Sequence, residues 1–342
     1  MSNPGQHMAA EIADQPAVLG GLVARRAEIA QVAREIARRP PRFALLAARG
    51  SSDHAALYAK YLIEVLLGLP AGLVSPSTVT LYGARPDLRD VLLVSVSQSG
   101  GSPDLLEFTQ TARKQGALTV AVTNTPASPL GGAAQLSVDI GAGTETAVAA
   151  TKTYSATLLA LYLLVDAVRG GDAVAAAEIE PLARQALDVD VQRAVDRYRF
   201  VDRIITTGRG YSYATALESA LKLAETSYLA ARAYSGADLL HGPVAAVDEE
   251  TAVLAITSAG RGTAALTDVL TAVADRGADV LALGSSAGDV PAAVRIPVPA
   301  VAEEIAPVLE VLPVQRIALG LALARGLDPD RPRGLHKVTR TR

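Results

Sequence analysis

Several groups of residues in this chain have the types and spacing that chemistry needs. The first is the run 95–104, Ser-Val-Ser-Gln-Ser-Gly-Gly-Ser-Pro-Asp. It follows the apolar run Val91-Leu92-Leu93-Val94, which reads as a strand buried on both faces, and precedes a predicted helix over 105–115. Helix N-termini present unpaired N–H groups, and the helix dipole favours an anion there. Ser97, Ser99 and Ser102 can donate hydroxyls to phosphate oxygens, Gln98 adds an amide, and Gly100 and Gly101 let backbone approach a ligand. A Ser/Gly-rich loop is equally compatible with simple helix capping. The second group is Lys222 and Glu225, which with Glu218 lie on a helix predicted over 216–230 and can pair at three-residue spacing. An ordinary solvated ion pair has the same spacing. The third is His241-Gly242-Pro243, a histidine on a turn. The last is Lys337, near the C-terminal end. Only five of the 32 basic residues are lysine, and an amine can form a Schiff base where a guanidinium cannot. A tail lysine is, however, ordinarily a solvated charge.

Composition bounds what these groups can do. The 342 residues predict about two domains. Half are apolar, ample for two cores, and 32 basic residues against 35 acidic ones argue against a nucleic-acid or membrane-surface partner. Cysteine is absent, which excludes disulfides, thiolate metal sites and thiol nucleophiles. His7, His54, His241 and His336 are scattered, with no pair at metal-ligand spacing, so no metal is expected. The polar, acidic start shows no signal pattern, and the longest apolar helix candidate, 156–168, is too short to span a bilayer. A cytoplasmic location is expected.

The elements that must position these groups follow in order. Residues 9–38 read as helical, stopped by Pro40-Pro41. Strands are predicted over 43–48, 91–96, 118–123 and 136–140. A turn at 49–53 leads to a helix over 54–67. A polar loop over 141–152 leads to a helix ending near 168, and 173–199 reads as a helical connection. At a shift of 160 residues Arg49-Gly50 falls on Arg209-Gly210, Ser52 on Ser212, Gly100 on Gly260 and Val120 on Val280, so an internal duplication is expected. Strand–helix alternation in each half predicts an α/β fold: two similar doubly wound parallel sheets in tandem. Ligands in such folds bind at the carboxyl ends of the strands, so the loops starting at Gly50, Ser97 and Gly141 should converge on one crevice. Neither dinucleotide nor nucleotide-triphosphate loop motifs occur, which leaves a compact phosphorylated ligand. The predicted organisation is an N-terminal helical segment (1–40), a first domain (41–172), a helical linker (173–199), a second domain (200–325) and a tail (326–342).

Together these stretches resemble the SIS (sugar isomerase) family in its tandem form. The resemblance is to the isomerase half of glucosamine-6-phosphate synthase and to stand-alone type II glucosamine-6-phosphate deaminases. Ser97-Gln98-Ser99-Gly100 is similar to the family's phosphate loop, and Gly143-Thr144-Glu145 with Thr151-Lys152 to its Gly-Thr-Glu…Thr-Lys segment. Leu221-Lys222-Leu223, Glu225-Thr226-Ser227-Tyr228 and His241-Gly242-Pro243 match its later motifs, and Lys337-Val338-Thr339 its tail, one residue shorter. Gly101, Ala150 and Ser102 stand where the family usually has Glu, Ser and Thr. The resemblance implies the following roles. Ser97, Gln98, Ser99 and Ser102 hold a sugar phosphate with Gly50 and Gly100 shaping the loops, and Ser52 and the segment around Val148 contact the sugar. Glu225 moves the proton between C1 and C2 beside Lys222, His241 opens the ring from the other subunit of a homodimer, and Lys337 pairs with the open-chain carbonyl. No cofactor, nucleic acid or membrane is implied.

The family's full synthase carries a glutaminase with a cysteine nucleophile, whereas this chain has no cysteine and about 40 residues before its first strand. The expected activity is therefore conversion of glucosamine 6-phosphate to fructose 6-phosphate and ammonia. The alternatives are an aminotransferase-like isomerase or a deglycase acting on another sugar phosphate, and, in a different class, a non-catalytic sugar-phosphate sensor. The tail is expected to fold back on Leu335 and Val338, delivering a desolvated Lys337 amine. If the Ser99 hydroxyl holds a phosphate oxygen, Ser99→Ala weakens sugar-phosphate binding by about 1–3 kcal/mol. The unphosphorylated sugar should lose much less, and equal losses in calorimetry would remove the phosphate assignment.

Overall fold

The computed structural model describes residues 3–337. Three helices open the chain, α1 (Gln6–Ala13), α2 (Gln15–Ala24) and α3 (Arg26–Ala37). Then come β1 (Phe43–Ala47), α4 (Ser51–Leu66), β2 (Ala71–Leu73), α5 (Ser77–Thr80), β3 (Val91–Val96), α6 (Pro103–Lys114) and β4 (Leu118–Thr123). The first half ends with α7 (Pro129–Ala133), β5 (Leu136–Asp139) and α8 (Lys152–Val168). Helices α9 (Ile179–Asp188) and α10 (Gln192–Tyr198) lead into β6 (Arg203–Gly208), α11 (Ser212–Ser227), β7 (Ala230–Ser235) and α12 (Gly236–Leu240). The second half closes with β8 (Ala252–Ile256), α13 (Arg261–Ala264), α14 (Thr267–Ala274), β9 (Asp279–Gly284), β10 (Val294–Pro297) and α15 (Ala306–Ala324).

The chain folds into two compact units that are not contiguous in sequence. One comprises Ala17–Glu145 and Lys152–Ala177, joined by His336 and Lys337. Its sheet is wholly parallel, in the order β2-β1-β3-β4-β5. The central strands are apolar on both faces because helices cover both sides. Leu93, Phe108, Ala112 and Leu105 form the core between β3 and α6. The other unit comprises the N-terminal residues up to Pro16, Thr146–Thr151 and Glu178–Leu335. Its sheet repeats the topology as β10-β9-β8-β6-β7, again parallel. Val253, Ala255, Leu270 and Val280 lie in its core. In each sheet the strand order reverses beside the first strand, between β1 and β3 and between β6 and β8. Those reversals are the switch points where such sheets bind ligands.

Several elements differ from the sequence expectation. Strand β2 is absent from it, because three residues flanked by Pro70 and containing Gly72 carry little strand signal. Helix α4 begins at Ser51 rather than 54, so Ser51, Ser52 and Asp53 form its first turn. Helix α11 runs four residues earlier than expected and ends at Ser227. Tyr228 turns left-handed at φ 55° and Ala230 already belongs to β7. The longest apolar helix is α15, not 156–168. Pro307 and Pro313 hide it, the first tolerated in the opening turn and the second inside the helix. By length and composition α15 with the turn before it could cross a membrane, yet 83% of that window is buried inside the protein.

In the second unit residues 5–8 meet Asp328 and Asp330. Asp330 Oδ2 and Oδ1 accept the N–H groups of His7 and Met8 at 2.8 and 2.9 Å, and Asp328 Oδ1 accepts that of Gly5 at 3.0 Å. These carboxylates cap α1, whose preceding Gly5 has no side chain to do so. Asp330→Ala should lower the unfolding free energy by about 1–2 kcal/mol. A urea midpoint unchanged from wild type would mean that water caps α1 as well.

Candidate functional site

In the first unit the loops after β1 and β3 flank the switch point. Gly50 holds φ 57° and ψ −135°, a conformation that glycine tolerates, and Ser52 follows in the first turn of α4. The β3 loop is fastened from within. Ser97 Oγ accepts from Gly100 N at 3.2 Å, and Ser99 Oγ accepts from Gly101 N at 3.3 Å. Gln98 O accepts from Asn124 N at 3.1 Å and from Thr123 Oγ1 at 3.2 Å. Gly100, at φ 61°, is packed so tightly that a Cβ would lie 1.9 Å from Ser128 Oγ. Ser102 is the N-cap residue of α6, but its hydroxyl makes no capping bond. Its oxygen therefore remains available beside the exposed Gly101. Arg49 reaches from the β1 loop to the buried Asp104, Nη2 to Oδ2 at 2.9 Å, and holds the two loops side by side.

Beside this loop is a cavity of about 580 Å³ lined by Arg25, Gln98, Asn124, Thr125, Thr144 and Glu145. It opens at the carboxyl ends of the strands, where this topology places ligands. A cavity of similar size, about 620 Å³ and lined by Arg39, Arg42 and Arg113, opens at the strands' opposite ends. Arg25 and Asn124 are contributions that sequence reasoning missed. Asn124 Nδ2 donates to Gly143 O at 2.7 Å and its Oδ1 accepts from Ala142 N at 2.8 Å, tying the β4 and β5 loops together. Its place immediately after a parallel strand was the available signal. Arg25, from the end of α2, carried none.

Lys337 belongs to this unit, and its Nζ lies 2.6 Å from Glu145 Oε2. Glu145 also accepts from Thr153 N at 3.0 Å and Thr153 Oγ1 at 2.7 Å. Burial works against its ionised form, but the Lys337 charge and these hydrogen bonds outweigh burial and hold its carboxyl below the usual carboxylate range. Of the two residues expected to pack the tail down, Leu335 is 39% exposed, and Val338, like Thr339, lies outside the described residues; the contact seen at Lys337 is its ion pair with Glu145.

The remaining candidates lie in the second unit. On α11, Glu218, Lys222 and Glu225 recur at four- and three-residue spacing on one face. The Lys222 and Glu218 side chains are wholly buried and 3.4 Å apart, while Glu225, hydrogen-bonded to Lys222, is 23% exposed. Burial alone would push the Lys222 amine down, but Glu218 and Glu225 more than offset it and raise its pKa. The solvated ion pair that the spacing also allowed is thus ruled out for Lys222. His241 is exposed at the end of α12, ahead of Gly242 at φ 123°. Val148 is half-buried in the segment Thr146–Thr151. Among the described residues no cluster of metal-ligating side chains occurs.

The model of the SIS domain matches residues 40–167 and again 198–325. The chain belongs to the SIS domain family. The SIS pair is 36% identical over 307 residues to the glutamine–fructose-6-phosphate aminotransferase (isomerizing) of Gloeobacter violaceus, covering 84% of this chain and 50% of that protein. The Methanothermobacter thermautotrophicus enzyme of that name is 32% identical over 340 residues, 96% of this chain and 56% of that one. The chain thus spans about half the length of the curated relatives it matches. A solved Silicibacter pomeroyi protein described as a phosphosugar isomerase superposes with TM-score 0.89 at 35% identity, over 94% of this chain and 99% of that one. The C-terminal domain of the Francisella tularensis glucosamine-fructose-6-phosphate aminotransferase gives 0.86 at 26% identity, over 96% and 98%. A Thermotoga maritima glucosamine-6-phosphate deaminase, 24% identical, shares the tandem SIS fold with TM-score 0.80 over 98% and 100%.

In the first SIS domain the Glu145 pair ties stability to pH. A carboxyl whose folded pKa is depressed stabilises the fold above its unfolded value, about 4.3. That contribution is lost as pH falls through the lower folded value. Between pH 7 and pH 3, wild-type stability should therefore fall more steeply than that of Glu145→Gln. Parallel urea titrations of the two proteins measure this, and identical slopes would show that the pair contributes nothing.

Proposed function

We propose that this chain isomerises a 6-phosphorylated amino sugar and releases its nitrogen, converting glucosamine 6-phosphate and water to fructose 6-phosphate and ammonia. The observation that carries this reading is Glu225. It is a partly exposed carboxylate held by a wholly buried lysine, which keeps it in one place without sealing it from a substrate. Aldose–ketose interconversion needs such a group, able to take a proton from one carbon and return it to its neighbour. The relationship to the isomerising aminotransferases supports the same substrate class.

In this reading Ser97, Gln98, Ser99 and Ser102 take the phosphate, and Ser52 and Val148 take the sugar chain, with Gly50 and Gly100 shaping the loops. Glu225 carries the proton between C1 and C2, with Lys222 fixing its position. His241 protonates the ring oxygen as the hemiacetal opens. Its exposed place on a turn suits service to the partner's site in a homodimer. Lys337 must leave Glu145 before its amine can reach a carbonyl carbon.

The decisive experiment incubates the protein with glucosamine 6-phosphate and follows ammonia and fructose 6-phosphate together. Equal amounts of both are expected, and Glu225→Gln should lower kcat by roughly 10²–10⁴-fold. Net formation of glucosamine 6-phosphate from fructose 6-phosphate and added ammonium, with no net ammonia release from glucosamine 6-phosphate, would favour a second reading, an isomerase half fed with ammonia from elsewhere, which the names of the curated relatives support. Binding with no turnover would make the protein a sugar-phosphate sensor instead.

A further inference from the structure

Helix α1 lies near the start of the chain, yet it bonds to distant segments. Its first turn is held by Asp328 and Asp330, from the stretch that leads to Lys337. Further along, Glu11 is only 5% exposed. Its carboxylate accepts the N–H of Thr146, and that of Ala147 at 3.3 Å to each oxygen. Met8 and Ile12, on either side of Glu11, pack against Ala147. At the start of α2, Gln15 Nε2 donates to Gln315 Oε1 at 2.8 Å, and Gln315 Nε2 donates to Thr151 O at 3.2 Å. The segment Thr146–Thr151 is therefore fastened at both ends by buried polar side chains, with Val148 between them.

Placing a carboxylate in so dry a position is costly unless strong donors meet it. Backbone N–H groups on a carboxylate are such donors, and they fix peptide planes rather than side chains. An apolar residue would fill the same space without orienting the loop. We infer that Glu11 is a positioning residue: through Thr146 and Ala147 it sets where Val148 meets the carbon chain of the sugar phosphate. This rests on the functional reading above, which assigns Val148 to the sugar. Glu11 itself touches no substrate. Its effect should fall on the sugar and spare the phosphate.

Calorimetry with two probes, fructose 6-phosphate and inorganic phosphate, tests it. Misplacing a binding group by about 1 Å can cost up to about 10²-fold. Glu11→Ala should weaken fructose 6-phosphate binding by about tenfold or more and leave inorganic phosphate unchanged. Glu11→Gln keeps an acceptor oxygen and should recover most of the affinity. Should Glu11→Ala fail to fold, Glu11→Asp, one carbon shorter, should show an intermediate loss with the same selectivity. A purely structural role would lower both affinities together or neither, and either result overturns the inference. A wild-type protein that does not bind fructose 6-phosphate overturns the functional reading, and the inference with it.

Discussion

A lysine with no exposed side-chain surface keeps its charge only where carboxylates replace the water it has lost. Lys222 meets that condition with Glu218 on one side and Glu225 on the other. Much of the second unit is arranged to make the condition hold. Helix α11 packs along α15 and against β6, β7 and β8, which fixes the rotation of its charged face. Thr226 Oγ1, one turn beyond Lys222, accompanies this packing by donating to Lys222 O at 2.8 Å and to Ala318 O at 3.4 Å. Only Glu225 retains contact with solvent. The cluster therefore has a closed end and an open end, and the open end is a carboxylate. Removing one member of a buried charged group leaves another without compensation, so such clusters rearrange little.

The parallel strands were legible because a strand covered on both faces is apolar throughout, and the four strand–turn units kept one offset across the duplication. The loop after β3 was legible for a related reason, since glycine and hydroxyl residues stood at a strand's carboxyl end. Elements with weak local signals were not. Strand β2 is an edge of three residues, and α15 carries two prolines that only its surroundings accommodate. Helix α11 starts at Ser212, ahead of the expected 216, and so takes in Ser212 and Thr215. In the fold they face the buried carboxyl of Glu310.

Contacts between residues far apart in sequence left no trace at all. Lys337 and Glu145 are 192 positions apart, and Glu11 and Thr146 are 135 apart. No periodicity predicts such pairs. The partner of Lys337 was therefore not readable, and its ion pair with Glu145 was not expected. The same limit applies to Asp328 and Asp330, which cap the first helix from near the other end of the sequence.

The duplication bears on the loop after β3, because the two copies have diverged at that point. Gly100, Gly101 and Ser102 correspond to Gly260, Arg261 and Gly262 at the common offset of 160 residues. In the second copy these backbone donors are already taken. Glu303 Oε2 accepts from Arg261 N at 3.0 Å and its Oε1 from Gly262 N at 2.7 Å. The switch point between β6 and β8 is filled as well. Glu310 accepts the hydroxyls of Ser212 and Thr215 at 2.6 Å each, and burial raises its pKa against the pull of these bonds and that of Ser258. A phosphate arriving there would have to displace Glu303 and meet Glu310 behind it. In the first copy Ser97 and Ser99 brace the corresponding loop, and no side chain of that kind occupies Ser102 and the exposed Gly101 among the described residues. Two loops of common ancestry thus separate by what fills them. The second is satisfied by the carboxylates of Glu303 and Glu310, while in the first the Gly100 and Gly101 N–H groups donate to the hydroxyls of Ser97 and Ser99.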